Sequence, residues 1–187
     1  MDALNAIFSR YSCRAYSDRV PSQEDLETIA RAAAAAPSGM NLQPWQILMI
    51  RNPELMADLE NAAMETLSAL PDKGMYERIM SRGGKVYYNA PCMAIIAVEQ
   101  DGWKPGAQMM DCGIVAENIA VAATALGIDN VICGMIGFAF AGEAGEALKQ
   151  RIRLPEGYEI GVAVLLGYGL QGGTPHAPDM AKITWVD

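Results

Sequence analysis

Histidine is nearly absent from this chain of 187 residues; His176, close to the C-terminal end, is the only one. A Ser-His-Asp or Cys-His mechanism would have to use that single side chain, and no nucleophile elbow accompanies it. A histidine-based metal centre is disfavoured for the same reason, and no metal is expected. There is no P-loop, which removes the commonest route to nucleotide hydrolysis. Four cysteines, Cys13, Cys92, Cys112 and Cys133, are widely spaced with no C-x-x-C pair, and read as buried free thiols of a reducing compartment. Basic residues are in deficit, 14 Lys+Arg against 22 Asp+Glu, for a net charge of −8. That balance argues against nucleic acid or an anionic membrane as the main partner. The longest apolar stretches are interrupted by Asp111, Glu117 and Asn118, so no segment should span a membrane. The start, Met-Asp-Ala-Leu, lacks the basic and apolar regions of a signal peptide, and the expectation is a soluble cytoplasmic protein. An enzyme this poor in acid–base residues is best explained if a cofactor carries the chemistry.

Hydrophobic residues make up 51% of the chain, enough for one domain over residues 1–187 with a sizeable core. With only 3 Phe and 3 Trp against 12 Met, that core should be closely packed and adaptable rather than aromatic. The pattern predicts a short helix at Ala3–Ser9 and a second behind Ser22 as N-cap, stopped by Pro37. A buried strand follows at Trp45–Ile50, then a helix over Pro53–Ser68 with proline in its first turn. Leu70–Lys85 holds Pro71, Gly74, Gly83 and Gly84 with mixed charges and no clear period. It reads as a mobile excursion, with a helical turn around Tyr76–Met80. Strands are expected at Met93–Val98, Asn130–Met135 and Tyr158–Gly167, and helices at Gln108–Leu126 and Gly142–Arg151. The long helix Gln108–Leu126, stopped by Gly127, is apolar nearly all round, which places it inside a molecule or inside a dimer. The tail from Leu170 to Asp187 is rich in glycine and proline, and its Ile183–Val186 patch has the look of a short edge strand. Alternating helices and strands give an α/β or α+β class with helices covering a sheet.

Gly167–Gly172 is a literal G-x-G-x-x-G directly behind a strand. It is rejected as a dinucleotide fingerprint, because Gly173-Thr-Pro-His-Ala-Pro178 cannot form the helix whose N-terminus would meet a pyrophosphate.

Two N-terminal segments carry the positive evidence. Ser9–Tyr16 reads Ser-Arg-Tyr-Ser-Cys-Arg-Ala-Tyr and offers Arg10, Ser12 and Arg14 at alternate positions. In an extended chain alternate side chains share a side, and two guanidiniums with a hydroxyl make a cradle for phosphate and a polarised carbonyl. Ala36–Trp45 reads Ala-Pro-Ser-Gly-Met-Asn-Leu-Gln-Pro-Trp, a helix end followed by small residues whose backbone can approach a flat ligand. In this order the two segments resemble the nitroreductase family of FMN-dependent oxidoreductases. Asn89-Ala-Pro91, Asp111–Gly127, Val131-Ile-Cys-Gly134 and Val164–Tyr168 extend the resemblance over most of the chain.

The resemblance implies a dimeric α+β fold, a three-layer α/β/α sandwich with a mixed, mostly antiparallel sheet. It implies FMN as cofactor and NADH or NADPH as electron donor, with flavin N5 and no protein side chain carrying the chemistry. Arg10 and Ser12 would hold the FMN phosphate and Arg14 would approach the flavin N1/O2 edge, with Tyr11 a cofactor-binding position of the same motif. Pro37, Ser38, Gly39 and Asn41 would contact the flavin from the partner subunit of a homodimer. Met135, Ile136 and Gly137 would lie near N5. The sequence departs from the family after Tyr168, where one or two basic residues often complete the phosphate site. Here His176 or Lys182 would substitute, with Lys73, Arg78, Arg82 and Lys85 of the excursion as other sources of charge. The implied activity is ping-pong reduction of a small acceptor such as a nitroaromatic or quinone. The alternatives are ene reduction, reductive dehalogenation or flavin fragmentation on the same scaffold, or flavin binding without turnover.

Overall fold

The computed structural model describes residues 1–100 and 106–186. Helices α1 (Ala3–Ser9) and α2 (Gln23–Ala34) precede strand β1 (Trp45–Ile50). Helices α3 (Pro53–Ala69) and α4 (Gly74–Met80) lead to β2 (Cys92–Glu99), and α5 (Ala107–Ala125) leads to β3 (Asp129–Cys133). Two short helices, α6 (Phe138–Ala141) and α7 (Gly145–Arg151), lead to β4 (Tyr158–Gly167). The caps follow the sequence. The Ser22 hydroxyl accepts from the Asp25 N–H at 3.1 Å, and the Asn52 side chain accepts from the Leu55 N–H at 2.8 Å with Pro53 behind it.

The strands form one sheet in the order β1-β2-β4-β3. Alternation along the strands builds two cores on it, broken by a β-bulge where Ile96 and Ala97 of β2 face Val162 and Ile160 of β4. Cys92, Ala94, Ile96 and Val98 of β2, with Val164 and Leu166 of β4, pack against Leu26 and Ile29 of α2 and Val115 and Ile119 of α5. Met93, Ile95, Ala163 and Leu165 face the other way, against Leu59 and Leu67 of α3, Ile136 and Ala139. Helices therefore cover both faces, giving the expected three-layer sandwich. Among the described residues the sheet is antiparallel at every strand pair, and its one parallel element is an isolated bridge between Ser12 and Asn130. The N-terminal segment runs beside β3 for that one residue before bending onto the chain that follows β4.

Several boundaries differ from expectation. The strand expected to reach Met135 ends at Cys133, and residues Gly134–Gly137 form a tight helical turn. The helix expected from Gly142 starts at Gly145 as α7, and a separate short helix, α6, stands before it; at the junction the Gly145 backbone sits on the Phe140 carbonyl, where a β-carbon would lie 2.2 Å from that oxygen. The Leu70–Lys85 excursion contains α4, whose Tyr76 and Ile79 pack on the core, and Lys73 donates to the Ser68 carbonyl. Ile183–Val186 forms no strand: one turn occupies Met180–Lys182, and Trp185 stays 87% exposed. A strand needs a neighbour to satisfy its backbone groups, and among the described residues none lies beside it.

The helix α5 buries Asp111, Cys112, Val115, Ala116, Ile119, Ala120 and Ala123, while Met109 and Met110 stay exposed. Helix α1 packs along α5 and exposes Leu4, Ile7 and Phe8. Val115 and Ile119 thus belong to the chain's own core, and the outward apolar surface is carried by the methionines and α1. Among the described residues no helix is long and apolar enough to cross a membrane.

Candidate functional site

The N-terminal segment alternates as an extended chain should. Tyr11 and Cys13 turn inward onto the core, Arg10 and Ser12 are half-exposed, and Arg14 is exposed. Backbone bonds fix its course. Cys13 N–H donates to the Asn130 carbonyl at 3.0 Å, Tyr16 N–H to the Tyr88 carbonyl at 3.3 Å, and Ser17 N–H to the Tyr168 carbonyl at 2.9 Å. Asn130 is buried and its amide donates to the Ala120 carbonyl at 3.1 Å and the Thr124 hydroxyl at 3.0 Å, so the segment is braced on α5 through β3. An Arg14 guanidinium nitrogen donates to the Ser12 carbonyl at 3.4 Å. Among the described residues Arg10 and Arg14 make no ion pair and the Ser12 hydroxyl makes no hydrogen bond. Unpaired guanidiniums beside a free hydroxyl, on a chain of net charge −8, suit an anionic ligand such as a phosphate ester.

The second motif forms a strained, exposed loop. Met40, Asn41 and Gln43 hold φ of 51°, 56° and 49°, in the left-handed region that such residues rarely occupy. The Ser38 hydroxyl accepts from the Gln43 N–H at 2.9 Å, and the Gln43 side-chain amide donates to Asn41 at 3.2 Å, which holds the turn closed. Pro37 and Asn41 are exposed, Ser38 and Gly39 half-exposed, and Met40 is 72% exposed.

The sheet register keeps these two motifs apart. Trp45, which ends the loop, pairs with Val98, and Val98 with Glu159 at the start of β4. Asn130, beside Ser12, pairs with Leu166 near the end of β4. Seven residues along β4 at about 3.4 Å, and three strand spacings at about 4.8 Å, put Trp45 and Asn130 roughly 28 Å apart. The motifs stand at opposite corners, farther apart than a tricyclic ring can span.

Met135–Gly137 follows β3 on the edge that carries the N-terminal segment, with Ile136 fully buried, Met135 half-buried and Gly137 exposed. His176 is exposed in the tail and makes no hydrogen bond among the described residues. The tail leaves the sheet at the N-terminal segment: Leu170 N–H donates to the Ala15 carbonyl at 3.0 Å, and the Tyr11 hydroxyl donates to the Gln171 carbonyl at 3.4 Å. Lys73, Arg78, Arg82 and Lys85 lie on and around α4, all exposed. Two surface cavities of the single chain lie away from these motifs, one between α2 and β1 lined by Leu26, Ala30, Met49 and Cys92, another against Glu60, Lys85 and Tyr87.

Two supporting residues were not found by sequence reasoning. Asp129 accepts from the Gly169 N–H at 2.7 Å and sits beside the Tyr11 hydroxyl; burial first, then this carboxylate, pushes the Tyr11 pKa up to about 12. Glu60 is buried in α3 and accepts from the Val86 N–H at 2.7 Å and the Tyr87 N–H at 2.9 Å. Its signal was present: Met56, Glu60, Ala63 and Leu67 fall on one helical stripe, three of them apolar. All four cysteines are buried and free, as expected. Burial raises the Cys13 and Cys133 thiols, and lifts Cys112 to about 11 and Cys92 to about 12, so none is a poised nucleophile.

Comparison with known proteins adds to this geometry. The model of the Nitroreductase family matches residues 7–168. A crystal structure of a nitroreductase with bound FMN from Desulfitobacterium hafniense is 44% identical, covers 100% of both chains and superposes with a TM-score of 0.94. A nitroreductase with bound FMN from Bacteroides fragilis is 30% identical over 100% of both chains, with a TM-score of 0.89. A protein of Archaeoglobus fulgidus, provisionally named NADH dehydrogenase/NAD(P)H nitroreductase, is 31% identical over 89% of this chain and 85% of its own length.

Proposed function

The chain belongs to the nitroreductase family, and from that premise we propose an FMN-dependent oxidoreductase that oxidises NADH or NADPH and reduces a nitroaromatic, quinone or similar small acceptor in a ping-pong cycle. We propose further that it works as a homodimer with two equivalent sites, each built from both copies. One observation carries this shared site. The two motifs that would touch one flavin stand at opposite corners of the sheet, so they meet only when a second copy brings its loop to the first copy's cradle.

Bound FMN would supply the two-electron redox chemistry between the nicotinamide donor and the acceptor. The protein's part is binding and electrostatics. Arg10 and Ser12 hold the phosphate by charge-assisted hydrogen bonds. Arg14 would place a fixed positive charge at the flavin N1/O2 edge and so raise the reduction potential. Pro37, Ser38, Gly39 and Asn41 of the partner copy would cover the ring, from a loop that the Ser38–Gln43 hydrogen bond holds closed. Met135–Gly137 would line the N5 side, and His176 is the candidate to take the place of the basic residues absent after Tyr168. The exposed Met109, Met110, Leu4, Ile7 and Phe8 form the apolar surface that the second copy covers.

The test combines chromophore identification, mass and turnover. Denaturing the reconstituted protein should release FMN, light scattering should give twice the mass of the chain, and the loaded protein should oxidise NADH or NADPH. A folded, FMN-loaded monomer would refute the shared site. FMN binding without oxidation of either nicotinamide would leave a flavin-binding protein without turnover.

A further inference from the structure

Tyr11 sits between the two arginines of the cradle motif, yet its side chain serves the other end of the chain. The Gly173 backbone lies flush on its ring: a β-carbon on Gly173 would fall 1.9 Å from Tyr11 Cδ2 and 2.3 Å from Cε2. The hydroxyl of the same tyrosine donates to the Gln171 carbonyl at 3.4 Å. Two residues earlier, Gly169 N–H donates to Asp129 at 2.7 Å, and a β-carbon on Gly169 would lie 3.0 Å from that carboxylate and 3.1 Å from Cys13 Sγ. Leu170 N–H reaches the Ala15 carbonyl. Every second residue of the tail's first stretch, Gly169, Gln171 and Gly173, is thus seated on the inner side of the segment whose outer side carries Arg10, Ser12 and Arg14. Gly169 and Gly173 are thus explained by this close approach, and Gly167 by its contact with Pro91 and Tyr16, where a β-carbon would lie 2.7 Å and 2.9 Å from side-chain carbons; Gly172, with open space around it, is not.

We infer that Tyr11 is a positioning residue that fastens the C-terminal tail to the phosphate cradle, so that tail attachment and FMN binding strengthen each other. This rests on the reading that Arg10 and Ser12 hold the FMN phosphate. In an extended segment the side chains on either side share one backbone, so a tyrosine locked by the tail also locks the directions of Arg10 and Ser12. A cradle already ordered loses less conformational freedom when its ligand arrives, and a ligand that orders the cradle holds the tail in return.

The experiment measures two quantities on the full-length protein. Hydrogen exchange by mass spectrometry reads the peptide covering residues 168–178, and quenching of flavin fluorescence reads the FMN Kd. In the wild-type protein, saturating FMN should slow exchange of that peptide about tenfold. Gly173→Ala has no room for its methyl, so it should speed exchange in the flavin-free protein and raise the FMN Kd at least fivefold. Tyr11→Phe keeps the ring and should hold the Kd within about threefold. If Gly173→Ala does not fold, judged by circular dichroism, Tyr11→Ala carries the same expectation. Faster tail exchange with an unchanged FMN Kd would overturn the inference, as would a raised Kd with the tail still protected. Arg10→Ala separates the two readings. An unchanged Kd there sinks the phosphate cradle itself, whatever the tail does.

Discussion

Glu60 offers the sharpest quantitative test of how this fold supports its site. It is a buried carboxylate with no cation among its described partners, satisfied by two backbone N–H groups, Val86 at 2.7 Å and Tyr87 at 2.9 Å. Those bonds hold a turn in which Tyr88 and Asn89 adopt φ of 54° and 58°. The Tyr88 carbonyl then accepts from Tyr16 N–H, which ends the cradle segment. Glu60→Gln is nearly the same size but replaces one acceptor by an NH₂ group that meets a backbone N–H donor to donor. One hydrogen bond to a charged group is lost and one buried N–H is orphaned, together about 2–4 kcal/mol. For a chain of this length, 1 kcal/mol shifts Tm by about 2–4 °C, so about 3 kcal/mol should lower Tm by roughly 6–12 °C. The assay is thermal unfolding of the flavin-free protein followed by circular dichroism, with exchange at Val86 and Tyr87 as the local check. A Gln variant melting within about 2 °C of wild type, with both amides still protected, would refute the clamp.

Three further outcomes are expected. Arg10→Ala should weaken FMN binding by about 1.5–3 kcal/mol, the loss of a charge-assisted contact, whereas Arg14→Ala should lower the flavin reduction potential more than the affinity; equilibrium titration and potentiometry on both variants separate the roles. Met110→Asp, at a position 71% exposed on the single chain, should leave a folded protein that no longer associates, while Ile119→Asp puts a charge in the core and should abolish folding; sedimentation with circular dichroism distinguishes them. The folded Tyr11 keeps its proton to about pH 12 while an unfolded tyrosine loses it near 10, so folding takes up a proton in that interval. The stabilisation is fully present below pH 10 and is lost as pH rises towards 12, and Tyr11→Phe should flatten that part of the stability–pH curve.

Much of this protein was legible as a string. Hydrophobic period placed α1, β1, α3, α5 and β4 within about two residues of where they stand, because burial on one face leaves a local trace. Ser22, Pro53 and Gly127 mark element ends by chemistry that acts over a few residues. The cradle motif, the Pro37–Trp45 motif and the scarcity of histidine together singled out a flavin family. What needed the tertiary structure is every statement about distance between elements. No local pattern says that Asn130 braces the cradle on α5, that Gly173 lies on Tyr11, or that Glu60 reaches Val86 across 26 residues. The tail's Ile183–Val186 patch has the composition of a strand, but strand formation is decided by a neighbour that composition does not name. The separation of the two motifs is of the same kind. Strand order and register are set by how the whole sheet packs between its two helix layers, and it is that register which puts Ser12, beside Asn130, and Trp45, at the end of the second motif, at opposite corners of a single chain.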